Sequence, residues 1–230
     1  MKKDIFLIDM DDTLFDFCRT EELNLTSTLA QFGITADRSV WRRFHEINQS
    51  LWQEFEKEKI TKEQIRTNRF KRLFSEYGFS ADTAAVSKIY FENFKEICLP
   101  FDGAGDLIKT LRLKGRIYLV TNGNTECQKR HIEDAGFLPL IDGVFISDEI
   151  GSAKPSIGFF EYVAAHICGF ERQRAVWIGD SLSSDMQCAK LAGIDFILFA
   201  PNGAPEGYNG ASAKNYGEIL KLLQQNQIQI

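Results

Sequence analysis

A chain of 230 residues, 44% hydrophobic and 26% charged, is an ordinary globular composition with room for one large domain or two. Lys plus Arg total 27 against 32 Asp plus Glu, a formal charge of −5 with both signs scattered, and no basic stripe marks it as a binder of nucleic-acid polymers. No apolar stretch approaches the roughly 18 residues that a membrane span needs. The five cysteines (Cys18, Cys98, Cys127, Cys168 and Cys188) are far apart and odd in number, as expected of reduced thiols in a cytoplasmic protein.

The first predicted element is the run Ile5-Phe6-Leu7-Ile8, which stops at Asp9, short of the roughly 7–15 apolar residues of a signal sequence. It reads as a strand. Residues 16–99 then change texture, with no strand and four helical stretches. The first opens at Thr20-Glu21-Glu22 and ends at Gly33. Ser39 opens the second, with Trp41, Phe44, Asn48, Trp52 and Phe55 at helical spacing. Thr61-Lys62-Glu63-Gln64 fits a capping box for the third, which carries Ile65, Arg69, Leu73 and Tyr77 and stops at Gly78. Ser80 caps the fourth, with Val86, Ile89, Tyr90, Asn93 and Ile97.

From residue 100 the strand theme returns. Ile117-Tyr118-Leu119-Val120, Val144-Phe145-Ile146, Ala175-Val176-Trp177-Ile178 and Phe196-Ile197-Leu198-Phe199 are continuous apolar runs, the texture of strands covered on both faces. Helical patterns alternate with them and close at Gly115, Gly136, Gly169 and Gly193. A last helix around Tyr216 to Leu223 is expected to pack on the sheet, with a Gln-rich end that frays. The fold class is therefore α/β, a doubly wound parallel sheet with an inserted α-helical bundle. The expected division is 1–15 with 100–230 for the core and 16–99 for the bundle.

In an open parallel sheet, ligands bind beyond the carboxyl ends of the strands. There the sequence places Asp9-Met10-Asp11-Asp12-Thr13, Thr121-Asn122-Gly123, Ser147-Asp148-Glu149 leading to Lys154-Pro155, and Gly179-Asp180-Ser181 with Asp185 further on. Carboxylates so close together raise each other's pKa unless a cation sits among them. Oxygen ligands without His or Cys suit Mg²⁺ together with a phosphate. A lysine and a Thr-Asn-Gly turn are donors for the remaining phosphoryl oxygens.

Asp9-x-Asp11-x-Thr13-Leu14, Thr121-Asn122, Lys154-Pro155 and Gly179-Asp180 with Asp185, in that order and each at a strand end, resemble the four motifs of the haloacid dehalogenase-type phosphohydrolase superfamily. The insert resembles that superfamily's first-class helical cap. Its stretch Asn48-Gln49-Ser50-Leu51-Trp52-Gln53-Glu54-Phe55, with Ile60-Thr61 and Arg69-Phe70, is similar to the pyrimidine 5′-nucleotidase branch of bacterial house-cleaning phosphatases. The resemblance implies Asp9 as nucleophile, forming an aspartyl-phosphate, and Asp11 as general acid and base. It implies Mg²⁺ held by Asp9, the Asp11 carbonyl and Asp180, with Asp185 behind it, and phosphoryl oxygens held by Thr121, the Asn122 amide and Lys154. The implied substrate is a small phosphate ester, a nucleoside 5′-monophosphate by the branch. The oligomeric state is left open. So are a sugar-phosphate phosphatase or phosphomutase with the same motifs and, from another class, a phospho-accepting receiver, although receivers are shorter and carry no helical insert; a silent binding protein is disfavoured because no motif residue is missing.

Other residues read more plainly. Asp12 occupies a position the motif leaves free and is expected to face outward or cap a helix. Asp148 and Glu149 are expected in a solvated loop. Trp41, Phe44, Trp52 and Phe55 read mostly as bundle core, the three histidines as structural or surface groups, and Cys18 as packing.

Overall fold

The computed structural model describes residues 2–225. In chain order the elements are β1 (Ile5–Ile8), α1 (Phe17–Ala30), α2 (Arg38–Glu56), α3 (Lys62–Tyr77), α4 (Thr83–Glu96), α5 (Ala104–Arg112), β2 (Arg116–Thr121) and α6 (Thr125–Asp134). They continue with β3 (Gly143–Ile146), α7 (Ser147–Ile150), α8 (Ile157–His166), β4 (Ala175–Gly179), α9 (Gln187–Ala192), β5 (Asp195–Phe199), β6 (Ser212–Ala213) and α10 (Tyr216–Gln225). The chain divides into two compact units, Phe17–Leu99 and the residues on either side of it.

The α/β unit is the expected parallel sheet with helices around it. Its strand order is β3-β2-β1-β4-β5-β6, with every pairing parallel. All four residues of β1 are buried, and so are β4 and most of β2 and β5, which is why these runs are continuously apolar rather than alternating. On one face Leu7, Tyr118, Trp177 and Phe196 lie in register and join Phe159, Phe160 and Val163 of α8 in a single cluster. Each such fully buried side chain is worth about 1.5–3 kcal/mol relative to exposure. Phe6 and Ile8 point to the opposite face, by the two-residue alternation of a strand, and are equally buried. The two-residue β6 had no sequence signal. The last helix begins where expected, and its Tyr216 hydroxyl donates to the Thr13 carbonyl at 2.9 Å, tying α10 to the loop after β1. The fraying read into the Gln-rich end falls largely outside the described residues.

The helical unit has its own core, including Leu25, Phe44, Leu51, Phe70, Leu73, Val86 and Tyr90. Its third helix starts with the predicted capping box. Thr61 Oγ1 accepts from Gln64 N–H at 3.3 Å, and the Gln64 side chain accepts from Thr61 N–H at 2.8 Å. Two caps differ from expectation. Asp37, not Ser39, caps α2, accepting from the amides of Ser39 and Val40. Asp82, not Ser80, caps α4, accepting from Ala84 N–H at 2.9 Å. The first helix starts at Phe17, three residues before the expected Thr20. Of the aromatic stripe on α2, only Phe44 is fully buried; Trp41, Trp52 and Phe55 are half-buried at the margin of the core.

Candidate active site

The strand order reverses at β1. Its neighbours β2 and β4 lead the chain away in opposite directions, so a crevice forms beyond its carboxyl end. Asp9 is the first residue in that crevice. Its N–H donates to the Ile178 carbonyl at 2.9 Å, extending the β1–β4 pairing by one residue and seating Asp9 next to the Gly179-Asp180 segment. After Asp9 the chain coils tightly. The Met10 carbonyl accepts from the Leu14 and Phe15 amides, and Asp12 N–H donates to the Phe15 carbonyl at 2.8 Å. Asp12 takes φ +55°, the left-handed region that Asp tolerates better than most residues. It also adds a negative charge felt by Asp180.

Lys154, 2% exposed, is the only ammonium bonded to these carboxylates among the described residues. It donates to Asp9 Oδ1, to Asp185 Oδ1 at 2.7 Å and to the Val120 carbonyl at 3.1 Å, which uses all three of its protons. Burial opposes its charge, but Asp185 and Asp9 outweigh that and hold its pKa above the ordinary lysine value. Its backbone is clamped by Asn122: Asn122 Nδ2 donates to the Lys154 carbonyl at 2.8 Å, and Lys154 N–H donates to Asn122 Oδ1 at 2.9 Å. The Asn122 side chain therefore positions Lys154. Thr121, buried at the end of β2, accepts from Gly123 N–H at 2.8 Å, and its hydroxyl proton has no acceptor among the described residues.

Asp185 lies beneath this layer, 1% exposed. It accepts from Lys154, from Trp177 Nε1 at 3.1 Å and from Ser181 N–H at 3.3 Å. The π-helical turn Leu182–Met186 carries it inward, with Ser181 accepting from Ser184 N–H at the turn's start. A Cβ at Gly179 would lie 2.4 Å from Asp185 Cγ, so only glycine lets the carboxylate tuck under β4.

Carboxylate oxygens of Asp9, Asp180 and Asp185 all lie within 4.8 Å of one another. At an effective dielectric constant of about 20, each like-charged pair at that spacing costs roughly 3 kcal/mol. Lys154 offsets this for Asp9 and Asp185. Asp180 receives no hydrogen bond from the described residues. Burial, then Asp9 and Asp185, push its pKa well above the ordinary carboxylate value. Asp9 is also raised, by burial first, with Lys154 opposing. An all-oxygen cluster with a surplus of negative charge and one unsatisfied carboxylate fits a hard divalent cation such as Mg²⁺.

Asp11 is half-buried and differently placed. Its Oδ2 accepts from Gln128 Nε2 at 2.7 Å. Burial raises its pKa, with His131 and Gln128 opposing. Gln128, 1% exposed, comes from α6 and passes over Gly123, where a Cβ would lie 2.1 Å from its Nε2.

The family model of the haloacid dehalogenase-like hydrolases matches residues 3–193. The chain belongs to that family. Among relatives of this haloacid dehalogenase-like hydrolase, the HAD-hydrolase YfnB of Bacillus subtilis is 35% identical over 86% of this chain and 85% of its own. The pyrimidine 5′-nucleotidase PynA of Streptococcus pneumoniae is 32% identical over 96% of this chain and 94% of its own. The pyrimidine 5′-nucleotidase YjjG of Escherichia coli is 27% identical over 84% of each chain. The magnesium-bound crystal structure of YfnB superposes with a TM-score of 0.91, covering 97% of this chain and 99% of that one at 31% identity.

Within this hydrolase the residues picked from sequence fall into three places. Asp9, Lys154, Asp180 and Asp185 form one charged knot, Thr121 and Asn122 lie at the end of β2 beside Lys154, and Asp11 sits against α6. Sequence reasoning missed Gln128 and Trp177, the donors that fix Asp11 and Asp185. His131, read from sequence as a structural or surface group, is buried with its ring 5.9 Å from that of Phe15, and it also influences the Asp11 carboxyl. A strand tryptophan and a helical glutamine carry no local signal of such roles. Asp148 and Glu149 are in the short helix α7 rather than a loop, where Glu149 pairs with Lys129 at 2.5 Å.

Proposed function

We propose that this hydrolase is a Mg²⁺-dependent phosphomonoesterase that works through an aspartyl-phosphate on Asp9 and acts on nucleoside 5′-monophosphates of the pyrimidine type. The observation that carries the chemistry is the knot itself: a buried aspartate at the switch point, a lysine bonded to it, and a second aspartate left without a donor among the described residues. The substrate class is supported by PynA and YjjG, whose names assign them that activity.

In this reading Asp9 attacks phosphorus and Lys154 balances the charge of nucleophile and phosphoryl oxygens together. Since its three protons already have acceptors, contact with phosphate must share or replace one of those bonds. Thr121, with an uncommitted hydroxyl proton, is the ready donor beside it. Asp11, with Oδ2 engaged by Gln128, carries its proton on Oδ1 and delivers it to the leaving ester oxygen. The same carboxylate then takes a proton from the water that hydrolyses the intermediate. Asp9 and Asp180 would hold the Mg²⁺ with the Asp11 carbonyl. When bound, the metal supplies positive charge that lets an anionic nucleophile approach an anionic phosphate. Asp185, committed to Lys154 and Trp177, holds the lysine in place beside it. The helical unit, Phe17–Leu99, serves as the substrate-selecting cap.

Phosphate release across nucleotides and sugar phosphates, with Mg²⁺ present, tests this. Pyrimidine nucleoside monophosphates are expected to turn over fastest, chelation to stop the reaction, and Asp9→Asn to abolish it with an unchanged circular dichroism spectrum. A stable phosphorylated protein without release, or full activity in chelator, would overturn it.

A further inference from the structure

Within the helical unit, three reactive side chains meet that have no role assigned above. Glu21 of α1 is fully buried, and both of its oxygens are engaged: Oε2 with His45 Nδ1 at 2.7 Å and Oε1 with Asn48 Nδ2 at 2.8 Å. A carboxylate on Nδ1 fixes that nitrogen as the N–H and turns Nε2 the other way. Nε2 faces Cys18 Sγ at 3.9 Å. The ring is held flat by Trp41, which stacks on it at 5.7 Å between centroids. Cys18 is half-buried, in the first turn of the fourteen-residue helix α1, where the field of the peptide dipoles favours an anion. Cysteine, histidine and glutamate thus stand as nucleophile, base and orienting acid.

The structure assigns to Cys18 a second chemistry for this chain: we propose that it is a thiol activated by His45 and Glu21 for oxidation by hydroperoxides. Transfer of the Cys18 proton to His45 Nε2 leaves a thiolate beside an imidazolium. Cys18 and then Glu21 raise the His45 pKa to about 10, so the charged ring persists at neutral pH. The thiolate sulfur attacks the terminal oxygen of the hydroperoxide. An S–O bond forms as the O–O bond breaks, sulfur gives up two electrons, and the leaving oxygen takes the proton from His45 Nε2 to depart as an alcohol or water. The product is a sulfenic acid, which a thiol reductant reverses. The other four cysteines serve as internal controls. Cys98 is half-buried like Cys18, Cys168 is exposed, and Cys127 and Cys188 are buried.

The test uses the full chain at pH 7, with peptide mass spectrometry reading each cysteine after timed exposure to iodoacetamide, and after hydrogen peroxide with dimedone to trap sulfenic acid. Cys18 is expected to alkylate about tenfold faster than Cys98 or Cys168, and to carry the dimedone adduct. His45→Gln should bring Cys18 down to the rate of Cys98. A wild-type Cys18 no faster than Cys168 overturns the proposal, and that comparison needs no variant. A fast rate surviving in folded His45→Gln overturns it as well.

Discussion

Gln128 and Asp11 are 117 positions apart in the chain, yet the amide decides which oxygen of the carboxyl is free to carry a proton. If Asp11 protonates the leaving group, loss of that amide matters only when the leaving group needs help. Gln128→Leu is therefore expected to slow hydrolysis of nucleoside monophosphates about tenfold, within the range assigned to general acids, and to leave p-nitrophenyl phosphate within about twofold. Equal losses on both esters, measured as kcat, would remove Gln128 from the acid's control. At this scale the sequence showed which carboxylates and which lysine belong together, because each follows a strand directly. It did not show their supports. Asp185 illustrates the gap: its motif spacing was legible, but its bonds to Lys154 and Trp177 depend on Gly179 having no side chain.

The helices of the inserted unit were readable as elements and less so at their ends. Apolar spacing marked all four, while Asp37 and Asp82 displaced the serines expected as caps. A short carboxylate both bonds the free amides and interacts favourably with the helix N-terminus, so it wins over a hydroxyl two residues away. Asp82→Ala should cost about 1 kcal/mol in urea unfolding, and Ser80→Ala only a few tenths, as expected for a residue outside the cap. The pairing of α1 with α2 through Glu21 and His45 has a pH signature. His45 has a higher pKa folded, about 10, than the ordinary 6.5 it regains on unfolding. Its contribution is present in full below about pH 6.5 and fades as pH rises through 10. Wild type should therefore lose stability between pH 7 and 10 more steeply than His45→Gln, as followed by thermal unfolding. Parallel slopes would mean the ring is not held charged.

Across the whole molecule, the arrangement of the α/β unit follows from a few loud signals. Continuous apolar runs gave β1 to β5, and the glycines after the helices gave the crossovers. The two residues of β6 are too few to show a period. Phe15 pairs with Pro100, and Phe101 N–H donates to the Leu14 carbonyl at 2.9 Å, so the chain departs from this unit and returns to it at neighbouring points. Joining Asp16 to Pro100 through a short Gly-Ser linker should then give a protein that keeps the sheet and unfolds in one cooperative urea transition. A broad, non-cooperative transition would show that the unit depends on residues 17–99. Because exit and return are side by side, an insert of almost any size can hang there without re-routing a single crossover. The scaffold behaves like a socket, and what is plugged into it can change while the order of the strands stays as it is.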